Sequence, residues 1–476
     1  MKTFQIIKNF LITFLIFIFI GTISCLLCHA KIKLNIFKEP ENPEIKRIVL
    51  VIIDTLRADH LGCYGYPRNT SPFIDSLAKK GILIKKALAT APITAPSHTS
   101  IFTSLYPLQH KITRNEGRLS EESITVTEIL KNLGYKTAAF LSVKGVFESM
   151  RITQGFDFVS EAILPGIEWQ QTGDKTIESA IKWLNDQNTE DKHFIFLHIY
   201  DPHAPYNSPE KFYKPFIENS KESFVNFLLN THKTDFDFFD RDLKQMLDMI
   251  NAYDGEISFA DSLVKLFYNY YEIKGFNSDT LWIITSDHGE GMGNHKWRAH
   301  GKQVYNTQLH VPLIFNFSSG LHKGKVIDKD IVESVDIFPT IIELARGNIN
   351  KIKEKQPVEG ISLVSLFNKD HNKERLAFAQ RRSYDSKNKP DIIIPETTNY
   401  EDGERYSIQS KRYKYIYFSE GKDEFYDLKK DPYEVNNLIG KGIKEEIKLK
   451  EILLNKIKYL KETSLSDQVL NTNQQI

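Results

Sequence analysis

Residues 48–53, Ile-Val-Leu-Val-Ile-Ile, carry no polar side chain on either face of a period-two strand. Such a run fits only where both faces are covered, as inside a parallel sheet. Similar runs recur at 137–141, 194–200, 281–285 and 311–317. Helical patterns lie between them. Ser71-Pro72 opens FIDSLAKK, which stops at Gly81, and Ile177, Ile181 and Leu184 share one face of IESAIKWLNDQ. Strands alternating with helices predict an α/β fold built on a large, mostly parallel sheet sandwiched by helices. After about residue 360 the texture changes. Residues 405–418 alternate and are rich in Tyr, which predicts antiparallel strands with one face in water, and 441–462 read as a Lys/Glu-rich amphipathic helix. Together these make a smaller C-terminal α+β subdomain.

The residues at the ends of the buried runs point to chemistry. The first run ends in Asp54, the run at 194–200 in Asp201-Pro202-His203, and the run at 281–285 leads to Asp287-His288. Ligands of open parallel sheets sit beyond the carboxyl ends of the strands. One Asp there is ordinarily a turn or a cap. Several, with histidines close behind, predict a cluster whose mutual repulsion calls for a divalent cation. Asp with His favours Mn2+ or Zn2+ over Ca2+ without excluding Ca2+. A second element is the segment TAPSHTS, in which Thr94 stands at the start of a predicted helix. A hydroxyl there meets an environment that favours anions, and becomes a nucleophile only when a metal or base lowers its pKa. Ser97 is the alternative nucleophile in the same segment, and a plain helix cap is the alternative role for Thr94.

The N-terminus reads as a targeting segment. Lys2 and Lys8 precede an apolar stretch at 10–23, and Cys28-His29-Ala30 resembles a cleavage site. Residues 1–30 are therefore expected to be a signal peptide or an N-terminal membrane anchor, with membrane association through residues 10–28 if the segment is retained. The protein is then exported: periplasmic, extracellular or membrane-anchored. Lys+Arg is 62 and Asp+Glu 61, so the net charge of +1 gives no reason to expect nucleic acid as a partner. Only three cysteines are present, which excludes a disulfide framework. His198, inside an apolar run, is expected to be a satisfied core residue.

In order and spacing, the chain resembles the sulfatase family of the alkaline phosphatase superfamily. The resemblance is carried by VLVIIDTLRADHLGCYGYPRNTSPFIDSLAKKGI, TAPSHTSIFTSLYPLQH, LHIYDPHAPY, YDGEISFAD, ITSDHGEGMGNH with His300, VPLIF, SVDIFPTIIELA and EFYDLKKDPYEVNNL. Composition marks a polar, Pro-containing linker at 31–46, a Phe-rich insertion at 205–250, the C-terminal subdomain at 361–462 and a polar, flexible tail at 463–476, and the resemblance implies a sulfatase-like catalytic domain at 47–360. It further implies that Asp54, Asp287 and His288, with Thr94, hold a divalent ion (Ca2+, Mn2+ or Zn2+). Thr94 would be the nucleophile. Asp201, His203 and His300 would face the transferred group, and Arg57 and His98 would orient ligands or the nucleophile; His98, His203 and His300 count as catalytic. Substrates would be small-molecule, glycan or lipid esters of sulfate or phosphate. The sequence also departs from the family. Its nucleophile position ordinarily carries Cys or Ser, converted to formylglycine, with Arg four residues on. Here these are Thr94 and His98, so formylglycine is not expected. A second carboxylate beside the first metal Asp is replaced by Thr55, and the sulfate-binding lysine falls at Ser142, with Lys144 out of register. The alternatives left open are a membrane-associated phosphoethanolamine or phosphoglycerol transferase, a phosphodiesterase, and an inactive binding protein that keeps the fold.

Overall fold

The computed structural model describes residues 45–143, 147, 150–161, 170–231, 243–368, 374–384 and 403–465. The expected signal or anchor at 1–30, most of the linker at 31–46, Lys144 and nearly all of the tail lie outside them. Among the described residues no helix is long and apolar enough to cross a membrane.

Strands β1 (Arg47–Ile53), β2 (Ile82–Leu88), β3 (Lys136–Leu141), β4 (Phe158–Glu161), β5 (His193–Ile199) and β6 (Thr280–Thr285) enter one sheet. After the short pair β7 (Gly291–Met292) and β8 (Arg298–Ala299), which stands apart, β9 (His310–Phe317), β10 (Lys325–Ile327) and β11 (Val332–Glu333) join the same sheet. Its order is β10-β2-β9-β6-β1-β5-β3-β4, nine strands with β11 beside β2. All pairings are parallel except those of β9, which runs against β2 and β6. β1 is central and every one of its residues is buried. Its even-numbered residues, Ile48, Leu50 and Ile52, face one apolar core, while Val49, Val51 and Ile53 face another, so helices cover both sides. The first core is closed by α2 (Thr94–Thr103) and α5 (Ile337–Leu344), the second by α1 (Pro72–Lys80), α3 (Gly173–Leu184) and the long α4 (Leu243–Ile273).

The expectation of a water-facing C-terminal sheet is corrected. β12 (Ala377–Arg381), β13 (Arg405–Gln409), β14 (Tyr413–Phe418) and β15 (Glu424–Asp427) do form an antiparallel sheet, but both of its faces are covered. Tyr406, Ile408, Tyr415 and Phe425 pack under α6 (Lys444–Glu462), whereas Ala377, Ala379, Ile416 and Tyr426 join the first core of the large sheet. The insertion contains helices at Glu210–Glu218 and Glu222–Thr231. Phe224 and Leu228 share a small core with Tyr66, Met246 and Ile250.

Candidate active site

The parallel register brings three strand ends to one edge. Ile52 on β1 is level with His198 on β5 and Thr285 on β6, so Asp54, Asp201 and Asp287 all emerge at the carboxyl side. The turn after β6 is locked by Ser286, whose Oγ donates to the His288 carbonyl at 2.7 Å and accepts the Leu56 N–H at 3.0 Å. The backbone of Gly289 is pressed against the Thr307 carbonyl, and a Cβ there would collide with it, which accounts for a glycine after His288. Thr55 sits in the left-handed region at φ 57°. A β-branched residue adopts that conformation only when its surroundings enforce it. Here it turns the Thr55 N–H toward Asp287 Oδ1 at 3.3 Å, while Tyr253 braces the turn by donating to the Thr55 carbonyl at 2.7 Å.

Helix α2 delivers its first residue to this edge. Ser97 Oγ donates to the Asp287 carbonyl at 2.6 Å and so docks the helix on the turn. That bond gives the Ser97 hydroxyl a docking role. Thr94 Oγ1 lies 3.4 Å from His288 Nε2. His98, one turn on, donates from Nδ1 to the Thr94 carbonyl at 2.9 Å and lies 3.5 Å from Asp287 Oδ2. Burial pushes the His98 imidazole down to about 3, so it is neutral.

Asp54, Asp287 and His288 are fully buried and offer donor atoms within 4.8 Å of one another. His288 Nε2 lies 3.3 Å from Asp287 Oδ2 and 3.8 Å from Asp54 Oδ1. Its Nδ1 donates to the Gly289 carbonyl at 2.9 Å, which leaves the Nε2 lone pair facing the cluster. Among the described residues, neither oxygen of Asp54 nor Oδ2 of Asp287 has a hydrogen-bond partner. Buried carboxylate oxygens without partners are expensive. Burial and the neighbouring Asp54 charge push Asp287 well above the usual carboxylate range. Burial opposes ionisation of Asp54 too, but His198, His203 and His288 hold it below that range. Two carboxylates, one imidazole and an adjacent hydroxyl, with open oxygens converging, fit a divalent cation in chemistry and in burial.

A second group faces the cluster. The His300 ring is 4.5 Å from that of His288 and 4.9 Å from that of His203. Glu290, almost wholly buried, lies 3.2 Å from His300 Nδ1. Burial disfavours the imidazolium, yet the Glu290 charge and hydrogen bond outweigh it and raise the His300 pKa. His203 stacks on Tyr200 at 4.2 Å and donates from Nδ1 to the Ala204 carbonyl at 2.6 Å, which leaves its Nε2 as an acceptor. Burial lowers its pKa.

Other expected participants are placed elsewhere. Asp201 does not join the cluster. Its Oδ2 accepts the Gly173 N–H at 2.9 Å, at the start of α3, and burial pushes its carboxyl up to about 7. Arg57 is buried but engaged by Asp59 at 2.7 Å, the Glu290 carbonyl at 3.1 Å and Asn294 Oδ1 at 2.9 Å, so it fixes the Glu290 segment instead of reaching the cluster. The first turn of α2 has few N–H groups to offer an oxyanion, since the Ala95 N–H donates to Asn115 Oδ1 at 3.0 Å and residue 96 is proline. His198 is not a satisfied core histidine. Neither ring nitrogen has a hydrogen bond among the described residues, and Nε2 lies 3.4 Å from Asp54 Oδ2. The signal that could have exposed it was present: an imidazole in a strand with both faces apolar needs a polar partner at the strand's end.

Comparison with known proteins fits this geometry. The sulfatase family profile matches residues 46–347, and that of the N-sulphoglucosamine sulphohydrolase C-terminal region matches 293–463. An ulvan-active sulfatase of Formosa agariphila is 26% identical over 446 residues, covering 88% of this chain and 82% of its own. The phosphonate monoester hydrolase of Agrobacterium radiobacter superposes with a TM-score of 0.68 at 19% identity, covering 88% of this chain and 96% of its own. A protein solved with its substrate D-glucosamine-2-N,6-O-disulfate does so with a TM-score of 0.68 at 19% identity, covering 87% and 98%.

Proposed function

The chain belongs to the sulfatase family and is a hydrolase of that family, and from this premise we propose that it cleaves sulfate esters of saccharides by a metal-dependent, in-line attack of Thr94. The observation that carries the proposal is the convergence of unpaired, buried oxygens of Asp54 and Asp287 with His288 Nε2 beside the Thr94 hydroxyl. A divalent ion held by Asp54, Asp287 and His288, with Thr94 beside it, would supply Lewis acidity, lowering the pKa of a hydroxyl and neutralising charge on a non-bridging ester oxygen.

The protein's own groups do the rest. His98 holds the Thr94 carbonyl and so orients the first turn of α2. The Thr94 hydroxyl gives its proton to solvent water, its oxygen forms a bond to sulfur as the bond to the leaving alcohol breaks, and a covalent threonyl sulfate ester results. His300, whose pKa Glu290 raises, gives its proton to the leaving oxygen. His203 accepts a hydrogen bond through Nε2 from the water that then releases the ester. A saccharide as the alcohol is supported by the names of the ulvan-active relative and the disulfated glucosamine complex. Export is part of the same proposal and rests on the basic, then apolar pattern of residues 1–30.

A phosphate or phosphonate ester is a second reading, favoured by one observation. Threonine stands where formylglycine would have to form, and a hydroxyl nucleophile suits phosphoryl transfer. Nitrophenyl sulfate assayed beside nitrophenyl phosphate mono- and diesters separates the two. On the sulfate reading the sulfate has the higher kcat/KM. In either case Thr94→Ala abolishes turnover while divalent metal content stays; an active variant would show that Thr94 is not the nucleophile.

A further inference from the structure

His198 lies directly behind the cluster without belonging to it. It is level with Ile52 in the parallel register, so its ring stands on the face of the sheet that also carries the Asp54 side chain. The ring is fully buried. Its walls are Phe147 edge-on at 4.7 Å between ring centres and His98 at 5.3 Å. The strand end is pinned because Ser142 donates from both N and Oγ to the His198 carbonyl, at 3.2 Å and 2.8 Å.

The oxygens of Asp54 face different neighbours. Oδ1 looks at His288 Nε2, 3.8 Å away, while Oδ2 looks at His198 Nε2, 3.4 Å away. His198 is not among the residues whose donor atoms lie within 4.8 Å of one another, so it stands beside the ion site and not in it. A buried imidazole needs a polar partner, and Asp54 Oδ2 is itself without one among the described residues.

We propose that His198 is a positioning residue for the ion site, donating Nε2–H to Asp54 Oδ2 and thereby turning Oδ1 alone toward the ion. The inference rests on the reading of Asp54, Asp287 and His288 as that site. Groups that hold a metal's ligands in place change affinity by about 10–100-fold when removed.

The test is ion affinity. Mn2+ and Zn2+ are titrated into chelator-treated, full-length wild type, His198→Phe and His198→Gln, in competition with a chromophoric chelator. Phe fills the ring volume without a donor, and binding is expected to weaken by about 10–100-fold for both ions. Gln places an amide N–H at similar reach and is expected to recover most of the loss. Should Phe disturb the packing, His198→Leu compared with His198→Gln puts the same question. Wild-type affinity in the Phe or Leu variant, or a Gln variant as weak as either, overturns the role of His198 and leaves the ion site standing. A wild type that binds neither ion, nor Ca2+ in a parallel titration, overturns both.

Discussion

At the scale of single residues, the site works by giving chemically similar groups different surroundings. Asp54 and Asp201 sit at the ends of neighbouring strands in the same way, yet one oxygen of Asp201 is taken by the Gly173 N–H, while neither oxygen of Asp54 is taken by a backbone N–H among the described residues. The sequence made both candidates; which strand end meets a helix N-terminus is set by tertiary packing and could not be read from it. Glu290 lies within ITSDHGEGMGNH, where the pattern assigns it no partner, and the structure pairs it with His300. This has a pH consequence. His300 must carry its proton to act as an acid, and its pKa is raised by Glu290. Activity should therefore fall as pH rises through that pKa. Glu290→Gln removes the charge, lowers the pKa and moves the alkaline limb of the kcat profile to lower pH by about one unit. An unmoved limb would show that His300 is not the acid.

At the scale of elements, continuous apolar runs made β1, β3, β5, β6 and β9 visible, because a strand covered on both faces admits little else. The direction of β9 was not visible, since an apolar run has the same pattern in either orientation. β2 was missed because Lys85-Lys86 interrupts it. In the fold these stems leave the strand sideways, with Lys86 Nζ reaching the Lys411 carbonyl at 3.4 Å, beside a register shift between Ile84 and Ala87. The Tyr-rich alternation at 405–418 showed strands but not that a second core would cover their other face. Helix α2 was legible from its proline and hydroxyls; its docking was not. Ser97→Ala removes the bond to the Asp287 carbonyl and strands a buried acceptor. It should cost about 1–3 kcal/mol in denaturant unfolding and weaken turnover through a displaced Thr94. Wild-type stability would mean that the helix is seated by its apolar contacts alone.

At the scale of the whole molecule, the architecture explains why the chemistry sits where it does. A parallel sheet converges strand ends on one edge, and two apolar cores keep that edge dry, so unpaired carboxylates there act at full strength. An ion that binds only the folded chain should also stabilise it, by about 2.7 kcal/mol when present at 100 times its dissociation constant. Thermal melts with and without Mn2+ or Zn2+ would show this as an upward shift that disappears in Asp54→Asn; equal shifts in both would locate the ion elsewhere. The most direct test joins composition to activity. Elemental analysis of the full-length protein is run before and after chelation, with ester hydrolysis measured in the same samples. The account predicts a near-stoichiometric divalent ion, activity lost with it and regained on its return. Full activity in protein freed of divalent ions would contradict it.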